Sequence, residues 1–491
     1  MIEGVEHEAT IAFRPAPALG YTSAVQGAGS RASTACAALA LIVGCADDAP
    51  RSTRPNLLLV TIDTLRADRL ACYGGEPDLG VAICALADAG TRFEWAFAAA
   101  PYTAPSVASI LTSSHPAQHG VTQSALSFLE DEAVSVAELL RDAGYTTAAF
   151  VSNPVLDRSR NLNQGFDVWD QRMERRERNR SGFRDRDARS ATDAALAWAR
   201  VGAATPWFLW MHYQDPHGPY DPPGSYPPFD APDGPRLQVL EEHSGLGGIP
   251  AYQALPGRFS VDAYAGAYAH EVRFVDIEVR RLIEGLDALG APPAVLLTAD
   301  HGEAFGEDGY WFAHGHSVGL DQIRVPLLWR PARPQTPSLA STPVGGIDVA
   351  PTLLAAAGIE IPSAFEGSPL PVVGLSGSVS AAERPVFAEH ELRAAVIVGR
   401  RYYARDTRPV HPDERDRVSG GRVVPLPRRS ARLPESGALP AYDEPGPEAA
   451  ADALEGLLAE YVEAAAKRTA PRRGEVSAEL REQLDALGYL D

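Results

Sequence analysis

Basic residues are in short supply, with 44 Lys and Arg against 64 Asp and Glu and a formal net charge of -20 over 491 residues. A chain this acidic lacks the cationic surplus that neutralises phosphates, which argues against nucleic acid as a partner and makes acidic solubility the plain reading. Long apolar runs are lacking near the N-terminus as well. The stretch SRASTACAALALIVG, from Ser30 to Gly44, falls short of the roughly 20 residues that cross a bilayer, so a membrane-spanning helix is excluded there. Cysteine is scarce too, with four residues at positions 36, 45, 72 and 84.

The short apolar stretch, with Arg31 ahead of it, has the form of the central region of a secretory signal. It ends in Ile42-Val43-Gly44-Cys45, which resembles the bacterial lipobox, where a small residue precedes a Cys that is acylated and becomes the mature N-terminus. Residues 1–44 are then expected to be removed. Residues 45–54 would serve as the tether of a lipoprotein, periplasmic or held at the outer membrane or cell surface. The long segment ahead of Arg31 is unusual for such a leader, and a buried N-terminal helix ending in Cys45 is the alternative. Cleavage would leave Cys72 and Cys84, which an oxidising compartment would allow to pair. Their spacing does not demand it, and two unpaired, buried small hydrophobes are the expected state.

The apolar fraction of 45% suits a globular protein, and the length suits two or three average domains or one large α/β core with a smaller C-terminal addition. After the polar tether, residues 57–62 (LLLVTI) form a short apolar run of the kind that becomes a strand buried on both faces. Similar runs recur at 146–153, 206–213, 293–300 and 325–331. Between them stand helical patterns, including VSVAELLRDAG ending at Gly144, ATDAALAWAR, and a long segment closed by Gly290. This alternation predicts an α/β fold, a doubly wound, mostly parallel sheet with helices on both faces, whose ligands gather at the carboxyl ends of the strands.

Two regions break the rhythm. Residues 171–190 are dense in Arg and acids, as a solvated helix face or loop would be, and residues 216–260 are rich in Pro and Gly. The second follows a strand that carries polar chemistry, and it is expected to be a long loop over the site or a variable connection. Asp63 directly follows the first strand, and Asp300-His301 follow a later one. Two carboxylates and an imidazole converging on one sheet edge predict a divalent metal site, although an Asp after a strand is often only a helix cap.

Four ordered strings, LLLVTIDTLRADRLACYG, YTAPSVASILTSSHPAQHGV, MHYQDPHGPYDPP and TADHGEAFGEDGYWFAHGHSVGLDQIRVPLLWRP, resemble the sulfatase family of the alkaline phosphatase superfamily in order and spacing. The similarity runs from about Pro55 to Gly358, with an echo in AELREQLDALGYL near the C-terminus. It implies an alkaline phosphatase-like catalytic domain over 55–375 and a C-terminal α+β subdomain over 376–491. It also implies one divalent metal (Ca, Mg, Mn or Zn) held by Asp63, Asp300 and His301 together with Thr103. Sulfatases usually carry a second Asp after the first, whereas this chain has Thr64. That difference removes a ligand and brings the shell closer to the one-metal sites of phosphoethanolamine transferases and phosphonate hydrolases.

The nucleophile segment departs further. Sulfatases present Cys or Ser, one residue, Pro, one residue, Arg, and oxidise the first to formylglycine; this sequence reads Thr103-Ala104-Pro105-Ser106-Val107. A secondary alcohol cannot give the aldehyde, so formylglycine is excluded at Thr103. The resemblance then implies in-line attack by the Thr103 hydroxyl, activated by the metal, on a sulfuric, phosphoric or phosphonic ester. Among the groups that would steady the anionic ester or protonate the leaving oxygen are His217, in Asp215-Pro216-His217, and His314 or His316. His314 and His316 could instead form a second metal site with Asp215. Arg66 and His119 also fall in family motifs, as direct participants or as structural support, with Arg66 and Asp215 candidate substrate contacts.

The expected function is thus ester hydrolysis on a small-molecule, glycan or lipid substrate, with membrane contact through the lipid anchor. Phosphoryl-group transfer to a lipid or glycan alcohol is one alternative, and a binding protein that kept the fold without turnover is another. Residues 385–435 contain a β-rich stretch suited to a small C-terminal sheet, and DALEGLLAEYVEAAAKR suits an amphipathic helix on the core.

Overall fold

The computed structural model describes residues 54–467 except 125–126, 177–183, 224–233, 334, 373–383, 408–424, 427, 436, 438 and 443–447, and residue 478 beyond them. The leader, the lipobox and Cys45 lie outside the described residues, as does nearly all of the C-terminal echo. Among the described residues no helix is long and apolar enough to cross a membrane.

The five apolar runs become strands, and three segments outside them, residues 91–97, 168–170 and 338–340, join the same sheet. In chain order these are β1 (Leu57–Ile62), β2 (Thr91–Phe97), β3 (Thr146–Val151), β4 (Val168–Asp170), β5 (Trp207–Tyr213), β6 (Ala294–Ala299), β7 (Arg324–Arg330) and β8 (Ser338–Ala340). With the short pair Val344–Gly345 they build a nine-stranded sheet in the order β8-β2-β7-β6-β1-β5-β3-β4. β1 pairs in parallel with β5 and β6, and β3 pairs in parallel with β5 and β4. β7 runs antiparallel to both β6 and β2, so the sheet is mixed but mostly parallel. β1 and β6 are buried along their whole length, as their unbroken apolar runs require of strands covered on both faces.

The helices that cover the sheet are α1 (Val81–Asp88), α2 (Thr103–Thr112), α3 (Val136–Asp142), α4 (Ala188–Arg200), α5 (Val261–Asp287) and α6 (Val349–Ala357). Their ends follow local chemistry. Ser135 and Glu138 form a reciprocal capping box at the start of α3, and Ser260 caps α5 by accepting from the Ala263 N–H. Four further strands, β9 (Val386–His390), β10 (Arg393–Val398), β11 (Arg401–Asp406) and β12 (Arg429–Arg432), form an antiparallel C-terminal sheet. One face of it packs on Trp95, Phe97, Val318 and Ile323, and Ala394, Val396 and Tyr403 pack with Leu454 and Leu458 of α7 (Glu448–Ala466). The expected small sheet and amphipathic helix are therefore present.

The structure corrects the expectation for Cys72 and Cys84, which form a disulfide rather than two separate thiols. The chain turns back through residues 67–73, where the Ala71 N–H bonds to Leu79 O, and α1 then brings the two Cα atoms to 5.6 Å, within disulfide reach.

Candidate active site

Strand register assembles the site. Ile62 pairs with both Ala299 and Tyr213, so Asp63 and Asp300 leave adjacent parallel strands at the same level of the carboxyl edge. Val151 pairs with His212, which places Asn153 two residues beyond the same edge. Asp63, Asp300 and His301 gather with one ligand atom from each within 4.8 Å of the others, all buried. His301 Nε2 stands 3.4 Å from Asp63 Oδ1 and 3.7 Å from Asp300 Oδ2.

Thr103 joins this cluster from a helix rather than a strand end. It is the first residue of α2, fully buried, and its Oγ1 lies 3.3 Å from His301 Nε2. The N-cap of α2 is Tyr102, which makes no side-chain cap bond. Ser106, one turn on, ties the helix to the strand end by donating its hydroxyl to Asp300 O at 2.5 Å. Val107, at the position of the family's Arg, is buried in the main core.

Two oxygens of this cluster, Asp63 Oδ1 and Asp300 Oδ2, are buried and have no hydrogen-bond partner. Orphaned carboxylate oxygens in a buried site are costly unless a cation meets them, so this donor set fits a divalent metal. Electrostatics agree. Burial alone would raise the Asp63 carboxyl, but the nearby imidazoles of His212, His217 and His301 outweigh it and hold the group well below the usual range. Burial and then the charge of Asp63 push Asp300 the other way, well above its ordinary value.

Residues absent from the sequence reading complete the surroundings. Asn153 donates Nδ2 to Asp63 Oδ2 at 2.6 Å and accepts from the Val155 N–H through Oδ1, which fixes the amide's orientation. His212 Nε2 approaches the same Asp63 oxygen at 3.8 Å, while its Nδ1 pairs with Thr61 Oγ1 at 2.8 Å. Glu303 is fully buried and pairs with His314 Nδ1 at 3.0 Å. Burial raises its carboxyl to about 7 against the opposing charges of His217 and His301. Thr64, where sulfatases usually carry a second Asp, holds a left-handed backbone (φ 56°), with its carbonyl accepting the Tyr268 hydroxyl at 2.8 Å and its own hydroxyl buried.

Of the expected histidines, the structure brings His217 and His314 to the cluster. The His314 ring centroid is 4.5 Å from that of His301 and 5.0 Å from that of His217. It does not bring His316, which is stacked on Tyr310 at 4.8 Å and pushed down to about 3 by burial and the charges of His314 and Arg393. Nor does it bring Asp215, which accepts the Ala188 N–H at 2.8 Å and faces Arg175, Asp185 and Glu271. Among the described residues Asp215, His314 and His316 form no ligand cluster. Beyond β5 the chain turns, with the His217 N–H bonding to Gln214 O at 2.7 Å, so Asp215 and His217 do not follow the two-residue alternation of a strand and meet different surroundings.

Arg66 is occupied as a brace rather than turned to a substrate: it bonds both oxygens of Asp68, Glu307 Oε1 and the Glu303 carbonyl. His119 is likewise structural, accepting from the Val121 N–H and pairing with Ser109, and burial lowers it to about 3. The Pro- and Gly-rich loop does reach the site. Tyr252 stands 6.0 Å from His217, and Tyr252 and Gln253 both donate side-chain hydrogen bonds to Phe312 O, at 3.3 and 3.0 Å. Phe312, two residues before His314, has a left-handed backbone (φ 50°).

Comparison with known proteins gives the family and the fold. The family model described as Sulfatase matches residues 55–359. The chain is 26% identical over 358 residues to the uncharacterised sulfatase YidJ of Escherichia coli K12, covering 64% of this chain and 70% of that one. It is 25% identical over 462 residues to the N-acetylglucosamine-6-O-sulfatase of Bacteroides thetaiotaomicron, covering 75% and 80%. In fold it is similar to the phosphonate monoester hydrolase SpPMH of Silicibacter pomeroyi, with a TM-score of 0.62 at 20% identity over 85% of this chain and 96% of that one. A 2-O GAG sulfatase gives a TM-score of 0.60 at 18% identity, covering 84% and 93%. With more than half of its length matched by one family model, the chain belongs to the sulfatase family of the alkaline phosphatase superfamily and is an ester hydrolase.

Proposed function

We propose that this hydrolase cleaves sulfuric, phosphoric or phosphonic esters with Thr103 as nucleophile, beside a divalent cation held by Asp63, Asp300 and His301. The observation that carries the reading is Thr103 Oγ1, buried at 3.3 Å from His301 Nε2 within a cluster in which Asp63 Oδ1 and Asp300 Oδ2 are orphaned. A cation held there supplies charge neutralisation for the anionic ester and acidifies a neighbouring hydroxyl. Ionised Thr103 forms the bond to sulfur or phosphorus as the bond to the ester oxygen breaks, and the departing oxygen takes a proton from His314 Nε2. Water then attacks the Thr103 ester, gives one proton back to His314, and releases Thr103 and the acid product. His217, 5.0 Å from His314, lies within reach of the anionic ester oxygens. A sugar ester is the favoured substrate class, because the Bacteroides relative is a sulfatase of N-acetylglucosamine.

The test is a panel of aryl sulfate, phosphate, phosphodiester and phosphonate esters assayed with Ca, Mg, Mn and Zn in turn. The wild type is expected to turn over at least one ester. Thr103→Ala is expected to abolish that turnover with metal content largely retained, and Thr103→Ser to keep part of it. An active Thr103→Ala variant overturns the nucleophile, and a wild type inert across the panel leaves a binding protein.

A further inference from the structure

His314 is gripped at one nitrogen by a carboxylate that the proposed reaction does not use. Glu303 Oε1 lies 3.0 Å from His314 Nδ1, and Oε2 accepts the Tyr220 hydroxyl at 3.0 Å. The Glu303 backbone is fixed as well, its N–H bonded to Asp321 O at 3.2 Å and its carbonyl to Arg66 Nη1 at 2.8 Å. All these partners are buried, so the carboxylate has little freedom to turn elsewhere. A neutral imidazole carries its proton on one nitrogen or the other, and the partner of one nitrogen decides what the other does. The His314 ring neighbours those of both His301 and His217, and its Nε2 is the nitrogen not engaged by Glu303.

We propose that Glu303 is a positioning residue that keeps a proton on His314 Nδ1, so that the doubly protonated ring gives its Nε2 proton to the leaving oxygen and is left as the Nδ1–H tautomer. This rests on the role given to His314 above. Without the carboxylate the ring would populate both tautomers and a range of orientations, and only part of the population could serve the leaving group.

Leaving-group dependence tests the proposal. Glu303→Gln preserves shape, but its amide can donate to Nδ1 or accept from it and so no longer selects the tautomer. For an alkyl ester, whose alkoxide must be protonated as it departs, kcat/KM should fall by about 10- to 100-fold. For the matching 4-nitrophenyl ester, whose phenolate departs unaided, the fall should be under about threefold. Equal losses with both esters, or none with either, overturn the proposal. His314→Gln should show the same selective loss, and the double variant should lose nothing more. If His314→Gln shows no leaving-group dependence, the reading of His314 fails; if it does and Glu303→Gln does not, only the role of Glu303 fails. Should Glu303→Gln not fold, nitrogen-15 NMR of the histidines in the wild-type protein decides. The resonance assigned by its loss in His314→Gln should report protonated Nδ1, and a ring protonated only at Nε2 overturns the proposal.

Discussion

Asn153 Nδ2 donates to Asp63 Oδ2 at 2.6 Å and so occupies one carboxylate oxygen while the other, Oδ1, stays buried without a partner. The amide thereby aims the carboxylate at the space shared with Asp300 and His301. Asp300→Asn and His301→Ala are each expected to lose bound metal while keeping the fold, because both residues sit beyond a strand end. Asn153→Ala should retain the ligands but weaken metal affinity by about 10- to 100-fold. Burial raises Asp300 in the cation's absence, so binding should release protons and tighten as pH rises. Elemental analysis and titration calorimetry in buffers of different ionisation enthalpy check these outcomes; full metal retention in both ligand variants rules the site out.

Asp215 supplies a pH prediction away from the metal. Burial pushes its carboxyl to about 6, against the pull of Arg175 and with the repulsion of Asp185 and Asp187. Glu271, raised well above its ordinary value by burial and by Asp215, shares the pocket. A carboxyl raised on folding favours the protonated native state, so its contribution is present below the unfolded value near 3.8 and is lost as pH rises through about 6. Two units correspond to ~3 kcal/mol at most, shared with the neighbouring charges. Asp215→Asn, which is neutral at every pH and can still accept from Ala188, should therefore raise Tm more at pH 7.5 than at pH 4.5. A difference from wild type that is the same at both pH values contradicts this assignment.

Export is the third matter. Cys45→Ser should move the protein from the membrane fraction to the soluble periplasmic one, and mass spectrometry of the wild type should find acyl chains on Cys45. Two or three chains are expected, since one gives only marginal anchoring. The Cys72–Cys84 disulfide supports the proposal, because such bonds persist in oxidising compartments. Unchanged membrane partition of Cys45→Ser counts against the lipobox.

How much was legible in the sequence depended on how local the signal was. β1 and β6 are unbroken apolar runs, and Asp63, Asp300 and His301 follow them directly, so both elements and ligands could be read along the chain. β2 could not, because Arg92 and Glu94 interrupt TRFEWAF; only the fold shows that Glu94 is buried in ion pairs with Arg92 and Arg324. Asn153 and His212 depend on register between parallel strands, which no local pattern encodes. His212 and Glu303 lay within the strings that carried the family resemblance, yet their partners Asp63 and His314 lie 149 and 11 residues away in the chain. Asp215 and His217 are two residues apart and meet different surroundings. The Cys72–Cys84 bond required a turn whose hydrogen bonds were not visible from spacing.

Phe312 bears on how this protein could be re-engineered. A bulky residue in the left-handed region is disfavoured by roughly 1–3 kcal/mol, and its carbonyl is held there by the side chains of Tyr252 and Gln253. Loop 234–260 is thus not an interchangeable module that can be grafted to alter substrate choice while the chemistry stays untouched. A transplanted loop without donors at 252 and 253 would let residue 312 relax, and His314 would swing with it. Grafts should succeed only when they carry both donors, or when residue 312 becomes a glycine that adopts the same backbone without help.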